Sequence, residues 1–231
     1  MSNAAESRTD ATRDRLIEAG TEAFAAHGFR GASIREICRQ AEANPAAVNY
    51  HFGDKERFYA EVLVTAHQQA VARRPMPRLA DDPEHPRVVL RSWIRWFLDL
   101  LLSDESSALG RLMAREMFQP TAALEELVLR SIRPTVMTLA EIVLGVVGPT
   151  RRALVIRSVQ SILGQCLFYK HSQPAMEHIS KLDPPPELQV FAGLPDKGPM
   201  PWEMAQDLDA LADGIAEFSL GGIERIKEDK T

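Results

Sequence analysis

Cysteine is scarce: Cys38 and Cys166 are the only two in 231 residues. They lie far apart in the chain, each in a helix-like pattern, and so build neither a disulfide framework nor a metal-ligand spacing; a reducing, cytoplasmic location is expected. Long hydrophobic runs are missing too. The most apolar stretch, Trp93 to Leu102, is interrupted by Arg95 and Asp99 and falls short of the roughly 20 residues that cross a bilayer, so no membrane span is expected. The start, MSNAAESRTDATRD, has no apolar core after a basic beginning, and no secretory signal is expected. There is no glycine-rich phosphate loop, no G-x-S-x-G elbow and no H-E-x-x-H pair, and His27, His67 and His85 have no ligand spacing. The chain is therefore expected to be no enzyme, with no cofactor and no metal. A helical enzyme lacking a recognisable motif is the remote alternative.

An excess of positive charge is also absent. The net charge of −5 read alone argues against nucleic acid, but its distribution corrects that reading. Residues 1–74 hold ten Lys/Arg and ten Asp/Glu, residues 75–174 twelve and ten, and residues 175–231 five and twelve. The acidity sits at the C-terminal end, and charge leaves a nucleic-acid partner neither supported nor excluded.

What the sequence does have is an ordinary folded balance, 45% apolar and 26% charged, with helical period nearly throughout and no useful period-two alternation. An all-α fold is expected. Leu16, Ile17, Ala23 and Phe24 form the stripe of a first helix that stops at Gly28, where glycine takes a left-handed C-terminal position at least cost. Ser33 followed by Glu36 reads as a capping box opening a second helix over 33–42. Asn44-Pro45 reads as an N-cap and first position of a third helix reaching about His51. Gly53 breaks it and Asp54 caps a fourth. Pro75, Pro77, Pro83 and Pro86 crowd the next dozen residues with charges and mark a connection. Beyond it, helices are expected at about 87–102, 106–118, 121–147 with Pro134 kinking or dividing it, 150–172, 174–181 and 201–227, and a loop or flap at 182–200. The domain reading is 1–55 as N-terminal arm and helix-turn-helix, 56–74 as connecting helix, 75–86 as Pro-rich connection, and 87–231 as one helical effector-binding and dimerisation domain.

Two short helices joined by a tight turn make a helix-turn-helix, whose second helix enters the major groove of DNA. Val48 and Phe52 are spaced to face inward; Pro45, Ala46, Asn49, Tyr50 and His51 can face outward. Ala46 and Ala47 allow close approach to base edges, and Asn49 can pair with adenine. Tyr50 and His51 suit phosphates and bases at the groove wall, while Ser33 and Lys55 can reach phosphates.

At these residues, namely Gly28-Phe29, Ser33-Ile34-Arg35-Glu36-Ile37, Val48-Asn49-Tyr50-His51-Phe52 and Asp54-Lys55-Glu56, the sequence resembles the DNA-binding segment of the TetR family of bacterial transcriptional repressors. The resemblance implies DNA contacts from Ser33, Arg35, Pro45, Ala46, Asn49, Tyr50, His51 and Lys55. It departs at Asn49, where the family often has tyrosine, and at Ala43-Asn44, where Val-Ser is frequent. Further on, Arg115 to Thr121 and Gly164 to Tyr169 look like the ligand-binding domain of the CecR-like subgroup. That implies a regulator, most simply a repressor, which pairs with a second copy through its last two long helices and leaves a palindromic operator when a small-molecule effector binds. A repressor without an effector is the alternative.

Ligand sites between helices are mostly apolar with a few orienting polar groups, which points to Trp93, Trp96, Phe97, Arg115, Met117, Gln165 and Phe168 as effector contacts. The plainer readings are a core for the aromatic residues, an internal pair for Arg115-Glu116 and a dimer contact for Gln165, Tyr169 and His171. Val155, Val159, Ile162, Leu163, Leu208, Leu211, Ile215 and Phe218 are the apolar faces expected at the homodimer interface.

Overall fold

A computed structural model describes residues 2–102, 108–148, 152–179 and 207–228, and all regular structure among these is helical. The expected loop at 182–200 lies outside the described residues. The chain forms two compact units, Met1–Pro75 with Asp104–Val136, and Met76–Ser103 with Met137–Thr231.

The first unit contains α1 (Ser2–Gly31), α2 (Ile34–Gln40), α3 (Ala46–Phe52), α4 (Lys55–Ala72), α6 (Ala108–Phe118) and α7 (Ala123–Leu127). Its core is aromatic. Phe24 of α1 lies 4.8 Å from Tyr59 and 5.6 Å from Phe58 of α4, and Phe52 of α3 sits 4.6 Å from Phe58. Such ring pairs add about 0.5–1.5 kcal/mol beyond the area they bury. Leu112, Ala123 and Leu127 of α6 and α7 join this same cluster. The sequence reading grouped residues 108–136 with 87–231, yet these helices pack on α1 and α4. An apolar stripe records that a helix has a buried face and says nothing of which partner buries it.

The helix expected over 121–147 is interrupted beside Pro134. Pro134 has no N–H to give the Arg130 carbonyl four residues back, and that carbonyl accepts from Gln68 Nε2 at 3.2 Å instead. The backbone absorbs the misfit as a π-turn over Val128–Ile132 and runs on into α8 (Arg133–Val147). Beside the turn, Ser131 Oγ is 2.6 Å from Nδ1 of the buried His67. Glu61 of α4 pairs with Arg13 at 2.8 Å and with Arg130.

The second unit contains α5 (Pro86–Leu102), most of α8, α9 (Arg152–Ile179) and α10 (Leu208–Glu228). Residues 174–179 of the separate piece expected at 174–181 continue α9, and residues 180 and 181 lie outside the described residues. α10 packs on both α5 and α9, burying Leu211 and Ile215 along with Leu90, Trp93, Ile94 and Ile162. Along one seam Arg87, Arg91 and Arg95 of α5 pair with Glu224, Asp213 and Asp209 of α10. Val159, Ile162, Leu211 and Ile215, read from sequence as interface residues, are thus covered within one chain. Phe218 is the member of that set left 73% exposed.

Burial pushes the His67 pKa below its usual 6.5, so the unfolded chain takes up a proton that the folded one resists. Stability therefore falls as pH drops below about 6.5, and it is unaffected by this group above that value. Comparing thermal midpoints at pH 7.5 and 5.5, the drop should be smaller in His67→Gln than in the wild type.

Candidate nucleic-acid interface

The interface begins with a break. Gly28 takes φ 70° and ψ 175°, a conformation open to glycine at little cost, and the Ala32 amide then bonds back to its carbonyl at 3.1 Å. Ser33 is extended and precedes α2 as expected, but its side chain makes no capping bond. Glu36 is occupied elsewhere. It accepts from Arg39 Nε at 2.8 Å and from Gln40 Nε2 at 3.1 Å, and the Arg39 guanidinium holds its carboxyl down at about 2. A charged partner one turn along competes with the reciprocal bond of a capping box, and Ser33 is left exposed.

The second start forms as read. Asn44 Oδ1 accepts from the Ala46 amide at 2.9 Å and its carbonyl accepts from Ala47 at 2.8 Å, with Pro45 already at a helical φ of −52°. Val48 and Phe52 are buried. Pro45, Ala46, Asn49 and Tyr50 are exposed, Tyr50 by 78%, and His51 is half-buried between the Tyr50 and Phe52 rings. Ala47, read from sequence beside Ala46 as allowing close approach, packs against the core. Gly53, at φ 88°, ends α3, and Asp54 caps α4 by accepting from the Arg57 amide at 2.8 Å.

Arg35 is exposed on α2, and Ser33, Arg35 and Pro45 share an open groove of about 400 Å³ with Arg39. Lys55 is half-buried: its Nζ donates to the Ala32 carbonyl at 2.7 Å and lies 5.2 Å from the Phe29 ring centroid. Two of its three N–H donors remain beyond that bond. The outward face thus brings together small residues, an amide, a phenol and an imidazole, backed by an apolar inner side.

The residues read as effector contacts are divided between the units. Trp93 is fully buried, stacked on Phe97 at 5.0 Å and 5.7 Å from Trp96. Gln165 Nε2 donates to Ser219 Oγ at 3.2 Å, and Phe168 is 60% exposed. Arg115 and the exposed Met117 belong to the first unit, where Arg115 donates to the Ala26 carbonyl. Arg115 and Glu116 are not an internal pair. Glu116 is 1% exposed and satisfied by Tyr59 and Thr121, a role invisible in sequence because the partners lie 57 and 5 residues away. Cys38 and Cys166 are free and buried, and burial pushes the Cys166 thiol up to about 12.

A tight pair of short helices, apolar inside and polar with small residues outside, held between α1 and α4, defines a helix-turn-helix module of the kind that enters a major groove. Residues 16–62 match the model of the tetR family of bacterial regulatory proteins. Residues 86–194 match the C-terminal domain of the HTH-type transcriptional dual regulator CecR. The chain is 30% identical over 92 residues to the HTH-type transcriptional repressor NicS of Pseudomonas putida, a match covering 40% of this chain and 42% of NicS. With CecR of Shigella flexneri it shares 32% over 120 residues, 48% of this chain and 53% of CecR. The chain therefore spans about half the length of these curated relatives. The flavonoid-responsive regulator FrrA has the same fold, with a TM-score of 0.59 at 16% identity over 91% of this chain and 96% of FrrA.

Asp54→Ala should lower stability by about 1 kcal/mol through the lost cap, whereas Tyr50→Ala should stay within roughly 0.5 kcal/mol because the ring is exposed. Urea denaturation with an unchanged slope and a shifted midpoint for the first variant alone is the expected result.

Proposed function

We propose that this protein is a DNA-binding transcriptional regulator of the cytoplasm, without catalytic activity, which represses as a homodimer from a palindromic operator and is released by a small molecule. The observation that carries the DNA reading is the outward face of α3. Ala46 is small enough for close approach, Asn49 offers a donor and an acceptor to an adenine edge, and Tyr50 is exposed. Ser33, Arg35, Pro45, His51 and Lys55 flank this face as contacts to the backbone and groove wall. The names of NicS, a repressor, and CecR, a dual regulator, agree with control of transcription.

For the homodimer, the support is that Ile156, Phe168, Phe218 and Ile226 on α9 and α10 are each exposed in one chain; exposed large apolar side chains favour association. For the effector, the support is the Trp93 indole, whose Nε1 is buried without a hydrogen-bond partner among the described residues. An orphaned buried donor is destabilising by about 1–3 kcal/mol, and a ligand oxygen accepting from it would relieve that. Trp96, Phe97, Gln165 and Phe168 are the proposed companions in this unit, and FrrA is by its name a flavonoid-responsive regulator. Arg115 and Met117, on the first unit, are left out of that set. The second reading, a repressor with no effector, is favoured by the complete burial of Trp93.

Selection of bound duplexes from a random-sequence library by the purified chain tests the DNA reading, with a two-fold symmetric consensus as the expected result. Asn49→Ala and Tyr50→Ala should change the selected sequence, while Arg35→Ala should weaken binding to all sequences and reduce the salt slope by about one. Recovery of no consensus would overturn the reading. A compound that raises the melting temperature and weakens binding to the selected duplex by roughly 5–150-fold would favour the effector-controlled form over the effector-free one.

A further inference from the structure

Arg115 and Glu116 are neighbours on α6 that grip two different helices of the first unit. Arg115 Nη2 donates to the Ala26 carbonyl at 3.2 Å, where Gly28 breaks α1 and the last carbonyls lose their intrahelical amides. A cation at a helix C-terminus also opposes the dipole there. The fit is close, since a Cβ at Gly28 would lie 2.7 Å from Arg115 Nη1. On the other side, the buried Glu116 carboxylate accepts from Tyr59 Oη at 3.0 Å, and from the Thr121 amide and hydroxyl at 2.7 and 2.9 Å.

These grips belong to a closed circuit. Tyr59 is on α4, with its ring 4.8 Å from Phe24 and 5.3 Å from Phe29. Beyond Gly28 the Ala32 amide returns to the Gly28 carbonyl, and the Ala32 carbonyl takes the Lys55 ammonium at the start of α4. The path runs from α6 to the end of α1, along residues 28–32 to the start of α4, and along α4 back to α6. Residues 28–32 form one side of the ring, and α2 and then α3 follow from it.

We propose that Arg115 and Glu116 are positioning residues for DNA reading, which set how α2 and α3 hang from α1 and α4 without themselves touching the nucleic acid. The inference rests on the DNA-binding reading above and moves Arg115 from a ligand pocket to the reading head. Arg115 holds the break, Glu116 holds Tyr59, and a shift of either grip would turn the outward face of α3 relative to the two long helices that carry it.

The test uses the duplex that the wild-type full chain selects from a random-sequence library, an unrelated duplex of equal length, and the variants Arg115→Met, Arg115→Lys, Glu116→Gln and Tyr59→Phe. Affinity for the selected duplex should fall about tenfold in Glu116→Gln and roughly threefold to tenfold in Arg115→Met, with a smaller fall in Tyr59→Phe and partial recovery in Arg115→Lys. The slope of log affinity against log salt and the affinity for the unrelated duplex should not change, because no phosphate contact is lost. Amide hydrogen exchange in peptides spanning residues 26–40 should quicken in Arg115→Met, with α5 and α10 unaltered. Wild-type affinity in both Arg115→Met and Tyr59→Phe would overturn the proposal. So would a salt slope reduced by about one, which would make Arg115 a DNA contact, or equal losses on both duplexes with a lowered melting temperature, which would make the pair general support. A wild-type chain that selects no sequence sinks the DNA reading and this inference together, whereas a selective wild type with indifferent variants sinks the inference alone.

Discussion

A seven-residue helix cannot hold its shape in water on its own, because the cost of nucleation is not recovered over so few bonds. α3 is that short, and α2 is no longer. What holds them is burial from one side: Val48 and Phe52 on α3, Ile37 and Cys38 on α2, all seated on the aromatic cluster of Phe24, Phe58 and Tyr59. The outward face of α3 can stay small and polar only because its inner face supplies the stability. A helix that satisfied its own stability with apolar residues all round could not present Asn49, Tyr50 and His51 to a polar ligand.

The same division of labour governs the polar groups at the helix ends. Asn44 and Asp54 each satisfy an amide that the first turn of a helix leaves over. Lys55 closes the Ala32 carbonyl between α1 and α2, and Arg115 closes Ala26. Each of these bonds is modest alone, near 1 kcal/mol. Together they fix the connections around α2 and α3, where loose joints would blur the spacing of outward side chains.

The acidic C-terminal end finds its explanation inside the second unit. Asp209, Asp213 and Glu224 face Arg95, Arg91 and Arg87 across the α5–α10 seam, so these three charges are answered within the chain itself. Half-exposed ion pairs such as these contribute little to stability, typically 0–1 kcal/mol each.

Local rules were readable directly. The break at Gly28, the cap at Asn44-Pro45, the stop at Gly53 and the cap at Asp54 depend on a few adjacent residues, and so does the assignment of Val48 and Phe52 inward. Ser33-Glu36 misled because Arg39 and Gln40 offered Glu36 nearer donors, a competition that a four-residue motif does not contain. Ala47 misled because one small residue looks the same on either face of a short helix. What only the tertiary structure decided is which stripe meets which. Leu112, Ala123 and Leu127 went to the first unit's core, Arg115 to the end of α1, Glu116 to Tyr59, and the freed Arg130 carbonyl to Gln68. The sequence by itself determined where helices start, stop and bury a side, because those are near-neighbour properties of the backbone. Their partners are chosen by shape and unsatisfied polar groups over separations of 57 residues and more, and no periodicity along the chain encodes that choice.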